Sequence, residues 1–252
     1  RVPDERLESI AKVVKPEKIT PTIIDFVDIA GLVKGAHKGE GLGNQFLAQI
    51  RNCDAILQVL KCFGDKANPR EDIETIKTEL EMKDQESKEK ENLLSKKPII
   101  YLLNIDGQVL PQVLEIPHLT LNIKRELEVS ELTDLKKDKE TGVDPALEVN
   151  GFKGGIDQLI LACYNILDLI TFYTIKGGKE ARAWTLKKGL TIPQAGKVVH
   201  SDFQEKFIRA EVLNWKKFIE EKGWKSSREK GLIQNVSKEY LVQDGDIIEF
   251  KV

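Results

Sequence analysis

An α/β protein with two domains is the fold class that this sequence predicts. In the earlier part of the chain, short apolar, β-branched segments alternate with segments of helical spacing, as in proteins with a mostly parallel sheet. From about Thr174 the pattern changes to short apolar runs separated by turn signals, among them Lys187-Lys188-Gly189 and Asp244-Gly245-Asp246. We therefore expect a larger domain at 1–173 and a small α+β domain at 174–252.

Three strands and two helices are expected in the larger domain. Pro21–Val27, Ala55–Leu60 and Pro98–Leu103 are short apolar stretches that predict buried strands. Gln45–Arg51 and Leu159–Tyr173 predict helices, the first with an apolar face and the second apolar throughout. Because helices connect the strands, the strands should form a mostly parallel sheet.

A charged segment interrupts this alternation. Asp72–Lys90 has apolar residues at near-helical spacing and then becomes almost wholly charged, which is typical of a solvated helix or the end of a coiled coil. We interpret the region near 68–97 as a partial helical insertion in the larger domain.

The charge balance and the cysteines exclude some classes of function. With 39 Lys and Arg against 41 Asp and Glu, the formal net charge of -2 gives no global attraction to nucleic acid or to an anionic membrane. The three cysteines are widely spaced without a CxxC pair, which favours buried thiols in a reducing cytosol over a metal or redox site. No apolar run approaches the roughly 20 residues of a membrane span, and no signal peptide opens the chain, so we expect a cytoplasmic protein without membrane contact.

Asp28 and Gly31 form a strand–Asp-x-x-Gly pattern ahead of a glycine-rich loop at Gly35–Gly43. A carboxylate at the carboxyl end of a strand can hold Mg²⁺ through a water, and a glycine lets a backbone N–H approach a terminal phosphate. When that phosphate leaves, the loop loses its anchor and relaxes. The pattern predicts a phosphate sensor, although Asp-x-x-Gly alone also fits an ordinary turn at the end of a strand.

A longer string supports the phosphate sensor. VDIAGLVKGAHKGEGLGNQFL (Val27–Leu47) closely resembles the switch II segment of the YchF family, within the Obg-related GTPases, and RVPDERL (Arg1–Leu7) resembles the stretch after the switch I of that family. Three further segments resemble its C-terminal TGS domain: Gly177–Gly189, His200–Val212 and Tyr240–Phe250. The resemblance covers most of the chain. It implies a P-loop nucleotidase domain with a helical, coiled-coil insertion, followed by a small ubiquitin-like TGS domain.

The resemblance also implies roles for residues in switch II. Asp28 would hold Mg²⁺ through a water, and the amide of Gly31 would sense the γ-phosphate in the catalytic site. Leu32 stands where Ras-like GTPases place the glutamine that orients the attacking water, and a leucine cannot hydrogen-bond water. His37 is the local substitute, because a neutral imidazole can accept a proton or orient water near pH 7; a solvent-exposed loop histidine is the alternative.

Asn104, Ile105 and Asp106 stand where such proteins bind the nucleotide base. GTPases have Asn-Lys-x-Asp, whose aspartate selects guanine, whereas YchF-like proteins typically have Asn-x-x-Glu and accept ATP. This chain has Gly107 at the fourth position, so the guanine-selective carboxylate is absent from its usual place. We expect ATP with relaxed selectivity; Asp106 as an irregularly placed guanine reader is the alternative.

The phosphate-binding loop of P-loop proteins, GxxxxGK[ST], does not occur in the 252 residues. Because little else would hold the β-phosphate, we expect these residues alone to hydrolyse nucleotides poorly. The sequence starts at Arg1 in what resembles the middle of a domain, and Glu81–Pro98 is shorter than the insertion that the family implies. We therefore expect the protein to contain further segments; a truncated paralogue is the alternative.

The C-terminal domain contains no catalytic constellation. Arg182, Lys187, Lys188 and Arg209 are candidates for an RNA or ribosome contact, and scattered surface charge around a buried Trp184 is the alternative.

Together these features predict a monomeric, Mg²⁺-dependent nucleotidase that hydrolyses ATP or GTP and associates with the ribosome or RNA. The competing hypothesis is a non-enzymatic RNA- or ribosome-binding module that keeps a degenerate nucleotidase domain as a scaffold.

Overall fold

The computed structural model describes residues 1–29, 42–86, 93–107, 115–137 and 155–252. The chain divides into two compact units. Phe26–Leu167 form one, which we call the parallel-sheet unit, and Arg1–Asp25 together with Asp168–Val252 form the other, which we call the mixed-sheet unit.

The regular elements of the described residues follow in chain order. They are α1 (Glu5–Val14), β1 (Lys18–Thr20), α2 (Leu42–Arg51), β2 (Ile56–Lys61), α3 (Pro69–Glu86), a 3₁₀ turn (Leu94–Lys96), β3 (Ile99–Asn104), β4 (His118–Leu121), α4 (Ile123–Lys137), α5 (Gly155–Ile166), β5 (Leu169–Lys176), β6 (Glu180–Lys187), α6 (Ile192–Val199), α7 (Ser201–Glu205), β7 (Arg209–Asn214), α8 (Trp215–Glu220), α9 (Trp224–Glu229), β8 (Gln234–Val236) and β9 (Asp246–Lys251).

The parallel-sheet unit is built on β2, β3 and β4, which pair in parallel in that order. The middle strand β3 buries Ile100, Leu102 and Leu103, as expected for a parallel strand that is covered on both faces. Leu47 of α2 and Leu80 of α3 are almost fully buried and belong to one apolar cluster of this unit. The α/β fold with a mostly parallel sheet is therefore confirmed.

The mixed-sheet unit contains a six-stranded sheet in the order β1-β6-β5-β9-β7-β8. Its central pair, β5 and β9, is parallel, and β1 pairs with β6 in parallel, whereas the other neighbours are antiparallel. The first and last strands of the C-terminal segment are thus neighbours in the middle of the sheet.

Helices cover both faces of this sheet. Because successive strand residues point to opposite faces, Phe172 and Tyr173 enter different cores. Phe172 packs in the cluster that includes Ile192 of α6. Tyr173 packs in the cluster that includes Ile10 of α1 and Phe218 of α8.

Asp4 fastens α1 to the sheet. It is the N-cap of α1 and accepts a hydrogen bond from the backbone N–H of Arg6 at 3.1 Å, and the Arg6 side chain also bridges Asp4 to Asp244. The hydroxyl of Tyr173, buried in the sheet, donates to Asp4 Oδ2 at 2.5 Å. Burial and the Asp4 carboxylate raise the pKa of Tyr173, so the hydroxyl keeps the proton that it donates.

Several sequence predictions are confirmed. The strands expected at Ala55–Leu60 and Pro98–Leu103 are β2 and β3, each displaced by one residue, and the helix expected at Gln45–Arg51 is α2. The region 68–97 contains α3 and the 3₁₀ turn, and its residues 87–92 lie outside the described residues; that this region is an insertion stays a prediction. The two predicted turns contain Gly189 and Gly245, whose φ angles of 84° and 90° suit glycine.

Two element predictions are wrong. Pro21–Val27 contains no strand; Ile23, Phe26 and Val27 are 51–62% exposed, and the strand of this segment is β1, just before it. A strand needs a neighbour, and within the described residues β1 has one in β6, whereas Pro21–Val27 has none.

The helix expected at Leu159–Tyr173 ends as α5 at Ile166, and β5 begins at Leu169. Between them Asp168 has a φ of 51°, in the left-handed region, which breaks the helix. The compact units also divide the chain differently from the boundary expected at 173/174, because β5 crosses that point and α1 and β1 pack with the C-terminal segment. Among the described helices, none combines the length and the apolar character that a membrane crossing requires.

Replacing Asp4 with Ala should destabilise the mixed-sheet unit. The change removes the N-cap of α1 and leaves the Tyr173 hydroxyl without its acceptor, so we expect a loss of about 2–4 kcal/mol in the free energy of unfolding. Urea denaturation measures this loss. Glu8→Ala, an exposed change on the same helix, is the control and should cost less than about 0.5 kcal/mol. Equal losses of stability in the two variants would contradict the role of Asp4 in holding α1 on the sheet.

Candidate functional site

The carboxyl ends of three parallel strands meet at one edge of the parallel-sheet unit. Pairing of Lys61 with Asn104, and of Asn104 with Leu121, aligns the ends of β2, β3 and β4. In open α/β sheets, ligands bind in the crevice outside the carboxyl ends of the strands. This edge, which we call the carboxyl edge, is therefore the candidate site.

Asn104 organises the carboxyl edge. Its side-chain oxygen accepts a hydrogen bond from the backbone N–H of Ile123 at 3.2 Å, and its backbone oxygen accepts one from Cys62 at 2.9 Å. The N–H of Ile105 donates to the backbone oxygen of Leu121 at 2.9 Å. Asn104 therefore joins the end of β3 to the beginning of α4 and to the end of β2.

The other two predicted base-binding residues differ in exposure. Ile105 is half-buried and packs against the cluster of Leu60, Cys62 and Leu103. Asp106 is exposed, next to Gly107, whose φ of 97° lets the chain turn there. Of the three predicted residues, Asn104 and Asp106 are those that offer polar groups at this edge.

Asp28, the predicted magnesium ligand, is exposed. The next residue, Ile29, packs against the apolar cluster that contains Leu47 of α2 and partly buried residues of β2 and β3. This contact fixes the chain immediately after Asp28 against the parallel-sheet unit. Gly31, Leu32 and His37 lie outside the described residues.

Cys62, directly after β2, does not have the properties of a reactive cysteine. It is buried, and burial, followed by the nearby charge of Asp72, raises the pKa of its thiol. The thiol therefore stays protonated and acts as a small apolar residue. All three cysteines are free, and the described part of the chain holds no group of three or more His, Cys, Asp or Glu side chains that would bind a metal.

Two residues at the carboxyl edge escaped the sequence analysis. Asn122 accepts the backbone N–H of Arg125 at 3.0 Å and so caps the first turn of α4. The Lys61 ammonium lies 5.0 Å from the centre of the Phe63 ring. An asparagine directly before a helix is a sequence signal for an N-cap, so the role of Asn122 could have been predicted. The Lys61–Phe63 contact depends on the direction of the chain after β2, which the sequence does not reveal.

The four basic residues predicted to bind RNA are distributed along the mixed sheet. Lys187 and Lys188 are exposed at the end of β6, and Arg209 is exposed at the start of β7. The register places Arg209 near the level of Lys179, about 25 Å along the strands from Lys187. They therefore belong to opposite ends of the sheet.

Arg182 lies between these ends and stacks on a tryptophan. Its guanidinium is 3.8 Å from the centre of the Trp184 ring. The indole N–H of Trp184 donates to Thr174 Oγ1 at 2.9 Å. Trp184 is half-buried, and its indole N–H has an acceptor. The stacked pair of Arg182 and Trp184 therefore lies on the sheet away from both of the ends that carry the other basic residues.

Two substitutions of Asn104 should separate its structural role from its predicted role in binding the base. Asn104→Asp keeps an acceptor for the Ile123 N–H but removes the amide donor, whereas Asn104→Ala removes both. We expect both variants to lose nucleotide affinity, and only the alanine variant to lose about 1 kcal/mol of stability. Calorimetric titration of the full-length protein and urea denaturation provide the measurements. Unchanged affinity in Asn104→Asp would contradict a role of the amide in base binding.

Comparison with known proteins gives matches along nearly the whole chain. The YchF-GTPase C-terminal family model, described as a protein of unknown function, matches residues 169–252. The family model described as 50S ribosome-binding GTPase matches residues 7–105. The structure titled as the Schizosaccharomyces pombe YchF GTPase superposes with a TM-score of 0.73 at 24% identity, covering 99% of this chain and 86% of that chain, which supports the fold.

Curated relatives are more similar in sequence. The Ribosome-binding ATPase YchF of Pasteurella multocida is 35% identical over 321 aligned positions, which cover 99% of this chain and 87% of that protein. The protein of the same name from Bacillus subtilis is 34% identical with the same coverage. Because the aligned positions outnumber the 252 residues of this chain, these relatives contain internal residues that this sequence lacks. Identity at this level across nearly the whole chain shows that it belongs to the YchF family.

Proposed function

We propose that this protein is a Mg²⁺-dependent nucleotidase switch that associates with the ribosome. It binds and hydrolyses ATP or GTP, and it binds GTP no more tightly than ATP. The observation that carries the proposal is the similarity to proteins named ribosome-binding ATPases over nearly the whole chain. The reaction would transfer the γ-phosphoryl group to water, breaking the β–γ phosphoanhydride. The protein would act in the cytoplasm as a monomer.

Asp28 suits a magnesium site. An exposed carboxylate next to an anchored residue offers the hard oxygen that Mg²⁺ prefers, and Mg²⁺ is commonly held by one or two carboxylates together with waters and phosphates. When bound, the ion would neutralise charge on the phosphates. Asp28 would contribute by orienting one of the waters of the ion.

The carboxyl edge would bind the base. Asn104 is held at the end of β3 by the Ile123 N–H, and the exposed Asp106 can approach a ligand from solvent. Glycine at position 107 removes the carboxylate that selects guanine in GTPases. We therefore infer relaxed selectivity, with ATP bound at least as well as GTP.

Gly31 and His37 would act on the phosphate. The amide of Gly31 would hydrogen-bond the γ-phosphate, and the imidazole of His37 would orient or deprotonate the attacking water. Leu32 gives the site a side chain without hydrogen-bonding capacity at the position of the usual glutamine. Release of the phosphate would free the loop between Gly31 and Gly43 and change the state of the switch.

The C-terminal segment would be a TGS domain that contacts the ribosome. Its hairpin, its crossing helix α6 and the central parallel pair of first and last strands correspond to a ubiquitin-like strand order. Arg182, Lys187, Lys188 and Arg209 would contribute phosphate contacts, in separate regions of the sheet. Charge in separate regions fits a large RNA surface better than a short oligonucleotide.

The relative affinities for ATP and GTP test the proposed base site. We expect the full-length protein with Mg²⁺ to bind ATP at least as tightly as GTP, because no carboxylate occupies the fourth position of the base motif. Side-by-side calorimetric titrations measure both dissociation constants. A strong preference for GTP would assign guanine recognition to Asp106, and the absence of binding by either nucleotide would favour the non-enzymatic scaffold.

Replacing His37 with Ala should lower turnover by about 100-fold or more while changing nucleotide affinity less than about threefold, because a general base acts in the transition state. His118→Ala is the control. His118 is exposed at the start of β4, at the edge of the sheet opposite to the candidate site, so its loss should leave turnover unchanged. Phosphate release by the full-length protein is the measurement, and equal turnover in the two variants would eliminate His37 as the base.

A further inference from the structure

The mixed-sheet unit contains a cavity of about 380 Å³ that none of the predicted site residues lines. Its walls come from four parts of the unit: the last turn of α1, the end of β5, the turn between α8 and α9, and β9. The residues used below are Val14, Ile175, Lys222, Trp224 and Glu249. Most of the lining is apolar and belongs to the core on the α1 face of the sheet.

Three lysines line this cavity or directly follow residues that line it. Lys222 lines it, Lys15 follows the lining residue Val14, and Lys225 follows the lining residue Trp224. All three are exposed, and none has an ion pair among the residues that the structure describes. The lining carboxylate of Glu249 is already paired with Lys251. The unpaired charge of the lining and of its chain neighbours is therefore positive, which suits an anion.

Trp224 adds an aromatic ring to the lining of the cavity. Its indole nitrogen is buried and has no hydrogen-bond partner within the described residues. It is the one buried side-chain atom of this kind in the described part of the chain. Because this nitrogen is closed to solvent, the ring rather than its N–H is what Trp224 offers a ligand.

Lys222 is held in an unusual conformation. It follows α8 with a φ of 56°, and the next N–H, that of Gly223, donates back to Phe218 at 2.9 Å. Glycine is the usual residue at this position of a helix end, because a side chain there costs free energy. A lysine is nevertheless present, and the helix end fixes its backbone at the cavity.

We propose that this cavity receives one unstacked base of a single-stranded RNA segment, with the adjoining phosphates on Lys15, Lys222 and Lys225. The cavity is large enough for a base and too small for a helix of a partner protein. Every base has a flat face that can stack on Trp224 and anionic phosphates beside it, whereas an apolar side chain of a peptide brings no charge that the lysines would complement. The three lysines complement the phosphates on either side of the base.

The inference deepens the proposed ribosome association and rests on it for the identity of the partner. It concerns a different face of the mixed sheet from α6, whose Lys197 is exposed and lies in the helix that covers the opposite core. Lys197 therefore provides a matched control for Lys222.

Binding of a fluorescein-labelled single-stranded RNA 12-mer to the full-length protein tests the cavity by anisotropy over a range of salt concentrations. Lys222→Gln should weaken binding several-fold and lower the slope of log K against log salt by about 0.7, the value of one phosphate contact on a single strand. Lys197→Gln should leave both quantities unchanged. Equal slopes for Lys222→Gln and the unmodified protein would overturn the proposal.

Tryptophan emission tests the insertion of a base. Unlabelled RNA should quench the emission of the unmodified protein, and Trp224→Phe should abolish most of this quenching while it keeps an aromatic ring and leaves affinity within about tenfold. Quenching that persists in Trp224→Phe would overturn base stacking at this residue. Thermal denaturation of each variant verifies that it is folded.

Two competing probes identify the chemistry of the ligand. Polyphosphate of equal charge should bind more weakly than the RNA, because it has no base to bury; equal binding would overturn the base pocket. Competition by an acidic peptide with one phenylalanine at the same concentration as RNA would overturn RNA in favour of a protein partner. Nucleotide hydrolysis measured on the same samples should be unchanged in Lys222→Gln, so a failure of the nucleotidase proposal is distinguishable from a failure of the RNA pocket.

Discussion

The carboxylate of Asp4 accepts hydrogen bonds from the Tyr173 hydroxyl and from the backbone and side chain of Arg6, and Arg6 in turn reaches Asp244. Asp4 and Arg6 come from the beginning of the chain, whereas Tyr173 and Asp244 come from its C-terminal segment. Their network places α1 on the sheet, so that Leu7 and Ile10 complete the core around Tyr173 and Phe218, and it brings β1 beside β6. The wall of the cavity formed by Val13 and Val14 depends on the same docking, because both residues follow in α1. A carboxylate that caps a helix and closes a buried network fixes both the direction and the rotation of that helix.

The sequence alone predicted those elements whose conformation follows from their own hydrophobic pattern. β2 and β3 are short apolar runs with neighbours on the same sheet, and the amphipathic pattern of Gln45–Arg51 gives α2. Pro21–Val27 has the same apolar, β-branched composition but forms no strand, because pairing is a property of two segments and the local sequence describes one. The end of α5 was missed for a different reason. An apolar run is equally consistent with a helix and with a buried strand, and the left-handed Asp168 that separates them is an aspartate without a glycine signal.

The positions of residues in a continuous motif were easier to predict than those of residues collected from several elements. Asn104 and Asp106 follow one strand, so their position at the carboxyl edge followed from the strand prediction. The basic residues of the C-terminal segment looked like one group in the sequence, but strand register separates Arg209 from Lys187 and Lys188. The cavity beside Trp224 had no sequence signature, since four elements contribute to its wall and one of them is near the opposite end of the chain.

Lys15 and Lys222 both end helices in the left-handed conformation, with φ angles of 50° and 56°. Each is a position at which glycine would relieve backbone strain of about 1 kcal/mol. Thermostability and cationic character are therefore in conflict at these two sites. Directed evolution that rewards only heat resistance would favour glycine at both, and would produce a more stable protein whose cavity kept only Lys225 of its three lysines. A screen that selects for melting temperature and for RNA binding together would yield two groups of variants, one with glycine and one with lysine at these positions.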